Sequence, residues 1–192
     1  AVEEDFFETV ADAGVNRISL GVQSVIESER KKLGRFSDRE LIEKRIIQCK
    51  SAGIEKISLD VMLGVQEQTQ KSLSETLDFC IASGAKHISA YMLKIEEGTT
   101  YYKKRDSLNL PDDDEVADMY LAMSERLLSN GFEHYEISNF ARQGYEGKHN
   151  LKYWNCEEYL GLGPSAHSFI DGKRFFYPRD IQYFKNGGEP IP

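Results

Sequence analysis

Four times along the chain an amphipathic helical stretch ends at a glycine, and a short, strongly apolar run follows. The clearest copies are Gly14-Val15-Asn16-Arg17-Ile18-Ser19-Leu20, Gly53-Ile54-Glu55-Lys56-Ile57-Ser58-Leu59 and Gly84-Ala85-Lys86-His87-Ile88-Ser89-Ala90. A looser fourth is Gly131-Phe132-Glu133-His134-Tyr135-Glu136-Ile137. Each of the first three has a basic residue three after the glycine and then Ile-Ser. The preceding helices are predicted over 4–13, 38–52, 70–83 and 113–130. Glycine suits the position after a helix because it accepts positive φ without a Cβ clash. Ser37 and Glu40 have the spacing of a capping box for the second helix. The runs after the glycines are rich in Ile, Leu, Val and Tyr, as buried strands are. Helix and strand alternating four times predict an α/β fold with parallel strands and right-handed crossovers.

Two architectures suit that alternation, a doubly wound open sheet and part of a (βα) barrel. The first strand lacks the GxGxxG turn of a dinucleotide-binding sheet. Counting seven and nine residues from each glycine gives Gly21 and Gln23, Asp60 and Met62, Tyr91 and Leu93, and Ser138 and Phe140. Strand side chains alternate, so these pairs are expected to share one side at the carboxy ends of their strands. In barrels that rim carries the chemistry, and the pattern favours a barrel. Gln23 and Asp60 either bind a ligand there or bond loop amides. Asp60, set in Ile57-Ser58-Leu59-Asp60-Val61-Met62-Leu63, is costly to bury without a partner.

The 192 residues suffice for a domain with a real core. With 40% apolar and 29% charged residues the balance is that of a soluble globular protein, and no apolar run is long enough to span a membrane. A formal net charge of −8 with no basic stripe argues against non-specific nucleic-acid binding. Cys49, Cys80 and Cys156 are widely separated and show no CxxC spacing. All three are read as small hydrophobes in a reducing, cytoplasmic setting. The start at Ala1 resembles neither a signal nor a transit peptide. Neither end reads as a natural terminus, and the chain is expected to be a piece of a longer protein.

The run Gly14–Ser24, with Leu33-Gly34-Arg35, Ser58-Leu59-Asp60-Val61-Met62-Leu63-Gly64 and Tyr135-Glu136-Ile137-Ser138-Asn139-Phe140-Ala141, resembles one branch of the radical S-adenosylmethionine (SAM) proteins. That branch holds the oxygen-independent coproporphyrinogen III oxidases and their heme-chaperone relatives. The resemblance continues through His149-Asn150-Leu151-Lys152-Tyr153-Trp154 and Tyr159-Leu160-Gly161-Leu162-Gly163-Pro164-Ser165-Ala166-His167-Ser168-Phe169. It implies that 1–140 form the carboxy-terminal half of a radical SAM barrel, about its last three or four βα units. Residues 141–192 would then be an irregular, family-specific extension. Gln23, Arg35 and Asp60, with Met62 in a lesser role, would contact SAM. Acceptors such as Asp60 and Gln23 suit ribose hydroxyls, and Arg35 suits a carboxylate. Without the resemblance Arg35 reads as a solvated surface cation.

The His149–Trp154 segment resembles the HNxxYW motif of the heme chaperones, which implies heme binding through His149 or Tyr153. Imidazole and phenol are both heme ligands, although the two side chains could simply bond each other within an aromatic loop. The segment 161–168 lacks the GK[ST] ending of a phosphate loop and is expected to form a tight turn, with His167 as a candidate ligand-facing residue. The chain departs from its relatives at Gly64-Val65-Gln66, where they carry Gly-Leu-Pro. It also lacks their CxxxCxxC loop, so the [4Fe–4S] cluster would sit on upstream cysteines. These residues alone are expected to hold no cluster, to do no radical chemistry, and to self-associate through exposed strand edges. The parent would bind heme and deliver it to heme-acceptor proteins. The alternatives are a coproporphyrinogen oxidase, acting in porphyrin biosynthesis, and a cluster-free binding module.

Overall fold

The computed structural model describes residues 5–192; residues 1–4, including the first position of the helix expected at 4–13, lie outside it. The chain divides into two compact units, one ending at Glu146 and the other spanning Gly147–Pro192. The first unit contains α1 (Phe6–Asp12), β1 (Arg17–Gln23), α2 (Glu27–Lys32), α3 (Arg39–Ser51), β2 (Lys56–Leu63), α4 (Gln70–Ala82) and β3 (His87–Met92). It continues through α5 (Thr100–Lys104), α6 (Asp113–Ser129), β4 (Glu133–Glu136) and β5 (Asn139–Ala141). The four repeat glycines, at 14, 53, 84 and 131, follow α1, α3, α4 and α6 and all take φ between +75° and +89°. A side chain there would be strained, which is why the repeat keeps glycine. The expected Ser37–Glu40 box is replaced by a simpler cap: Asp38 accepts from the Leu41 amide at 2.7 Å. Full capping boxes form instead at Thr69–Ser72 and Asp112–Glu115.

The strands form one mixed sheet in the order β1-β2-β3-β5-β4. β1, β2 and β3 are parallel, as the repeat predicts. The fourth copy breaks the pattern. β4 follows Gly131 and runs in the direction of β3, but the chain turns at once into β5, which inserts between them and pairs antiparallel with both. Ser138 therefore lies in a hairpin turn and not at a parallel strand end. Phe140 sits in register with Ile88, which faces Leu59 and Leu20 in turn. That row is apolar, so Phe140 points away from Asp60 and not toward it.

The next row is Gly21, Asp60, Ser89 and Asn139. The two rows show how period-two alternation divides the sheet. Its apolar side, with Ile57, Leu59, Val61, Leu63, Ile88 and Phe140, joins Phe7, Ile46, Leu77, Met123 and Leu127 from the helices in a single buried core. Its other side carries Ser58, Asp60, His87, Ser89 and Asn139.

The second unit contains α7 (Lys148–Trp154), β6 (His167–Ile170), β7 (Lys173–Phe176) and α8 (Ile181–Lys185). β6 and β7 form a hairpin through Asp171-Gly172, both at positive φ, the requirement of a type I′ turn. Tyr159 pairs antiparallel with Phe169 and so lays the 159–161 segment along β6.

Candidate functional site

The carboxy end of β1 is distorted. The register with β2 slips between Gly21 and Gln23, and Gln23 takes φ +62°, the left-handed region. A tight turn follows, with the Ser24 amide donating to the Val22 carbonyl at 2.7 Å. The bulge re-aims the Gln23 side chain, a common use of bulges near sites. The carboxamide folds back over Gly21: a Cβ at that glycine would stand 2.9 Å from Gln23 Nε2. Because Gly21 is in register with Asp60, Gln23 and Asp60 share the polar face. Ser19 Oγ donates to Asp60 Oδ1 at 2.7 Å, which fixes the carboxylate while leaving its other oxygen to accept elsewhere. Gln23 Oε1 is buried and has no hydrogen-bond partner among the described residues. A buried carbonyl of this kind is costly unless a donor completes it.

Met62 lies on the same side, two residues beyond Asp60 and in register with Tyr91. Tyr91 keeps the side predicted for it but is two rows further along than counting from Gly84 implies, and Leu93 lies past the end of β3. Gln68, which sequence reasoning did not single out, ties down the loop after β2: its Oε1 accepts from the Gly64 amide at 2.7 Å and its Nε2 donates to the Met62 carbonyl at 2.9 Å. Arg35 stands apart from this arrangement. It is exposed on the loop after α2, and its guanidinium bonds to no other described side chain or backbone group. Among the described residues only its amide is engaged, donating to the Arg30 carbonyl at 2.8 Å.

Earlier on the same face the floor is polar yet buried. His87 shares a 2.7 Å bond with Ser58 through Nδ1 and a 2.8 Å bond with the Tyr135 hydroxyl through Nε2. Burial, helped by the charge of Arg17, pushes its pKa down from 6.5 to about 3. The folded imidazole is therefore neutral where the unfolded one takes up a proton. Stability from this group is fully present above pH 6.5 and declines as the pH falls toward 3. By pH 5 the loss should be about 2 kcal/mol. The urea midpoint should drop between pH 7 and 5 and stay nearly level in His87→Gln. Equal slopes in the two proteins would remove His87 as the cause.

In the second unit, His149 and Tyr153 are one helical turn apart on α7, and the Tyr153 hydroxyl and His149 Nε2 share a 2.7 Å hydrogen bond. Tyr153 packs edge-on against Tyr159 at 4.5 Å, and Tyr159 leans on Phe169. Trp154 is half exposed beside them. The 161–168 segment forms the tight turn expected, with the Gly161 amide donating to buried Ser168 Oγ at 2.9 Å. His167 is exposed and stacks on Phe176 at 4.9 Å.

Cys49 and Cys80 are core residues, as read from the sequence, and burial pushes their thiols up to about 11 and about 12. Cys156 departs from that reading. It is exposed, at φ +53°, in the turn that ends α7. A [4Fe–4S] cluster needs several thiolates at one place, and these three residues do not fit it. Among the described residues no group of three or more His, Cys, Asp or Glu is arranged to hold a metal ion. No described helix is long and apolar enough to cross a membrane.

No family model matches the chain. It is 38% identical over 165 residues to the heme chaperone HemW of Bacillus subtilis, covering 85% of this chain and 44% of that protein. It is 39% identical over 188 residues to the heme chaperone HemW of a Synechocystis species, covering 93% and 46%. Among solved structures it resembles coproporphyrinogen III oxidase (HemN) from Escherichia coli, described as a radical SAM enzyme. The TM-score is 0.81 at 19% identity, over 99% of this chain and 48% of that one, a likeness of fold. The chain thus spans about half the length of the curated relatives it matches.

Proposed function

Because the chain belongs to the radical SAM family of the HemW heme chaperones and HemN, we propose that the full-length protein is a heme chaperone that binds heme and hands it to acceptor proteins. The observation that carries this reading is an identity of 38–39% to HemW proteins over most of the chain, both compact units included. The likeness to the oxidase HemN rests on fold at 19% identity, which makes oxidation of coproporphyrinogen the weaker reading.

In this reading SAM is held on the polar face of the first unit. Asp60 accepts from the ribose, Gln23 Oε1 receives the donor it lacks, Met62 gives apolar contact, and Arg35 reaches a carboxylate from its loop. The [4Fe–4S] cluster, which would supply the electron for SAM cleavage, belongs on cysteines outside these residues. Heme is taken by the second unit, where His149 Nε2 and the Tyr153 oxygen are both suited to ferric iron and Trp154 offers a flat apolar surface. The protein would work in the cytoplasm, where its three free cysteines stay reduced.

Titration of ferric heme into the full-length protein tests the heme assignment. A Soret shift is expected for the wild type, and His149→Ala should weaken binding about tenfold. A wild-type protein that leaves the heme spectrum unchanged would sink the chaperone reading. Equal affinity in His149→Ala would sink the ligand assignment alone.

A further inference from the structure

Glu29 and Arg30 lie in the run Glu27-Ser28-Glu29-Arg30-Lys31-Lys32, which reads as a solvated helix. Both are nevertheless buried, at 2% and 4% exposure. Burying formal charges costs several kcal/mol each unless their bonds are well made. Here the bonds converge on one residue, Ser24, itself fully buried and next to Gln23. Ser24 Oγ donates to Glu29 Oε2 at 2.6 Å and accepts from the Ile26 amide at 2.9 Å. An Arg30 guanidinium nitrogen donates to the Ser24 carbonyl at 2.9 Å. Thr76, on α4, accepts from the Val25 amide at 3.1 Å and so fastens the same turn to that helix.

This knot sits where the backbone is least relaxed. A left-handed non-glycine residue such as Gln23 persists only when its surroundings over-determine it. The Arg30 carbonyl also receives the Arg35 amide at 2.8 Å, so one buried residue is bonded to both ends of the loop between Gln23 and Arg35.

We propose that Glu29 and Arg30 are positioning residues for SAM binding: through Ser24 they hold Gln23 in its strained, site-facing conformation, and Arg30 sets Arg35 relative to it. The inference rests on the SAM assignment given above. Neither side chain touches SAM; both act through residues that do.

The test is equilibrium binding of SAM to the reconstituted full-length protein. Arg30→Met should weaken binding about tenfold, the 1.4 kcal/mol that each factor of ten represents. Arg30→Lys, which can still donate to the Ser24 carbonyl, should bind nearly as the wild type does. Gln23→Ala combined with Arg30→Met should bind no more weakly than the weaker of the two single variants, because the arginine acts through the glutamine. Unchanged affinity in Arg30→Met, or losses that multiply, would overturn the proposal, whatever happens to the thermal midpoint. Should Arg30→Met fail to fold, Ser24→Ala removes the hydroxyl bond through which Glu29 acts and carries the same expectation, with unchanged affinity again decisive against it. A Gln23→Ala protein that binds SAM as well as the wild type overturns the assignment of Gln23 to SAM. A loss in Gln23→Ala without one in Arg30→Met overturns only the positioning role.

Discussion

Asp60→Ala should weaken SAM binding by the reconstituted full-length protein by about one to two orders of magnitude, the largest loss expected from any single residue of the site. Hydrogen bonds to an ionised acceptor contribute about 1.5–3 kcal/mol, whereas those of a neutral carboxamide such as Gln23 contribute about 0.5–1.5 kcal/mol. Asp60 is also the better-prepared group. Ser19 already fixes one of its oxygens, so little freedom remains to be lost when a ribose hydroxyl arrives. Asp60→Asn keeps the shape but removes the charge, and should fall between the alanine variant and the wild type. Folding should suffer little, because Asp60 is only partly buried and stands on the polar side of β2, away from the Leu59 and Val61 core. Equilibrium dialysis with labelled SAM, alongside an iron count showing equal cluster content, separates the two effects. Wild-type affinity in Asp60→Ala would remove SAM from this face of the sheet.

Asp60 was also the most readable member of the site. A carboxylate embedded in Ile57–Leu63 has to take the side opposite Leu59 and Val61, and the repeat glycine fixed its distance along the strand. Gln23 reached the same face by a different route from the one its spacing implied. Simple alternation puts it beside Gly21, but the strand bulges there, and the side chain returns to that face by folding over Gly21, where the missing Cβ leaves its carboxamide room. Alternation failed at the fourth repeat because β5 is three residues long, too short for any periodicity to show, and because β4 continues the Gly-to-strand pattern right up to the turn. Glu29 and Arg30 were hidden for a physical reason as well. Their burial depends on hydrogen bonds to Ser24, and nothing in a run of charges distinguishes a solvated helix from one pinned to a neighbouring turn. Arg35 was visible only through resemblance, and the fold by itself still leaves it on the surface.

Gly161→Ala should cost the second unit about 3 kcal/mol or more, and heme binding with it. The reason is backbone proximity and not φ. Pairing of Tyr159 with Phe169 lays the chain against β6, and a Cβ at Gly161 would overlap the His167 carbonyl oxygen and stand 2.8 Å from its carbon. A flexible side chain could move aside, but this is main chain of β6, and shifting it disturbs the pairing of β6 with β7 and with Tyr159. The segment would have to lift off, and the bond from the Gly161 amide to Ser168 Oγ would go, leaving a buried hydroxyl without it. The displacement then runs through neighbours already in contact. Tyr159 is two residues away and packs on Tyr153, whose hydroxyl is bonded to His149. Trp154, the one tryptophan of these 192 residues, lies in α7 of this unit. Its fluorescence should show an earlier urea transition in Gly161→Ala, with a weaker Soret shift on heme titration. Far-ultraviolet circular dichroism, dominated by α3, α4 and α6 of the first unit, should stay close to that of the wild type below that transition. A variant with an unmoved Trp154 transition would mean that the turn yields more easily than its contacts indicate, and that the aromatic cluster around His149 does not depend on it.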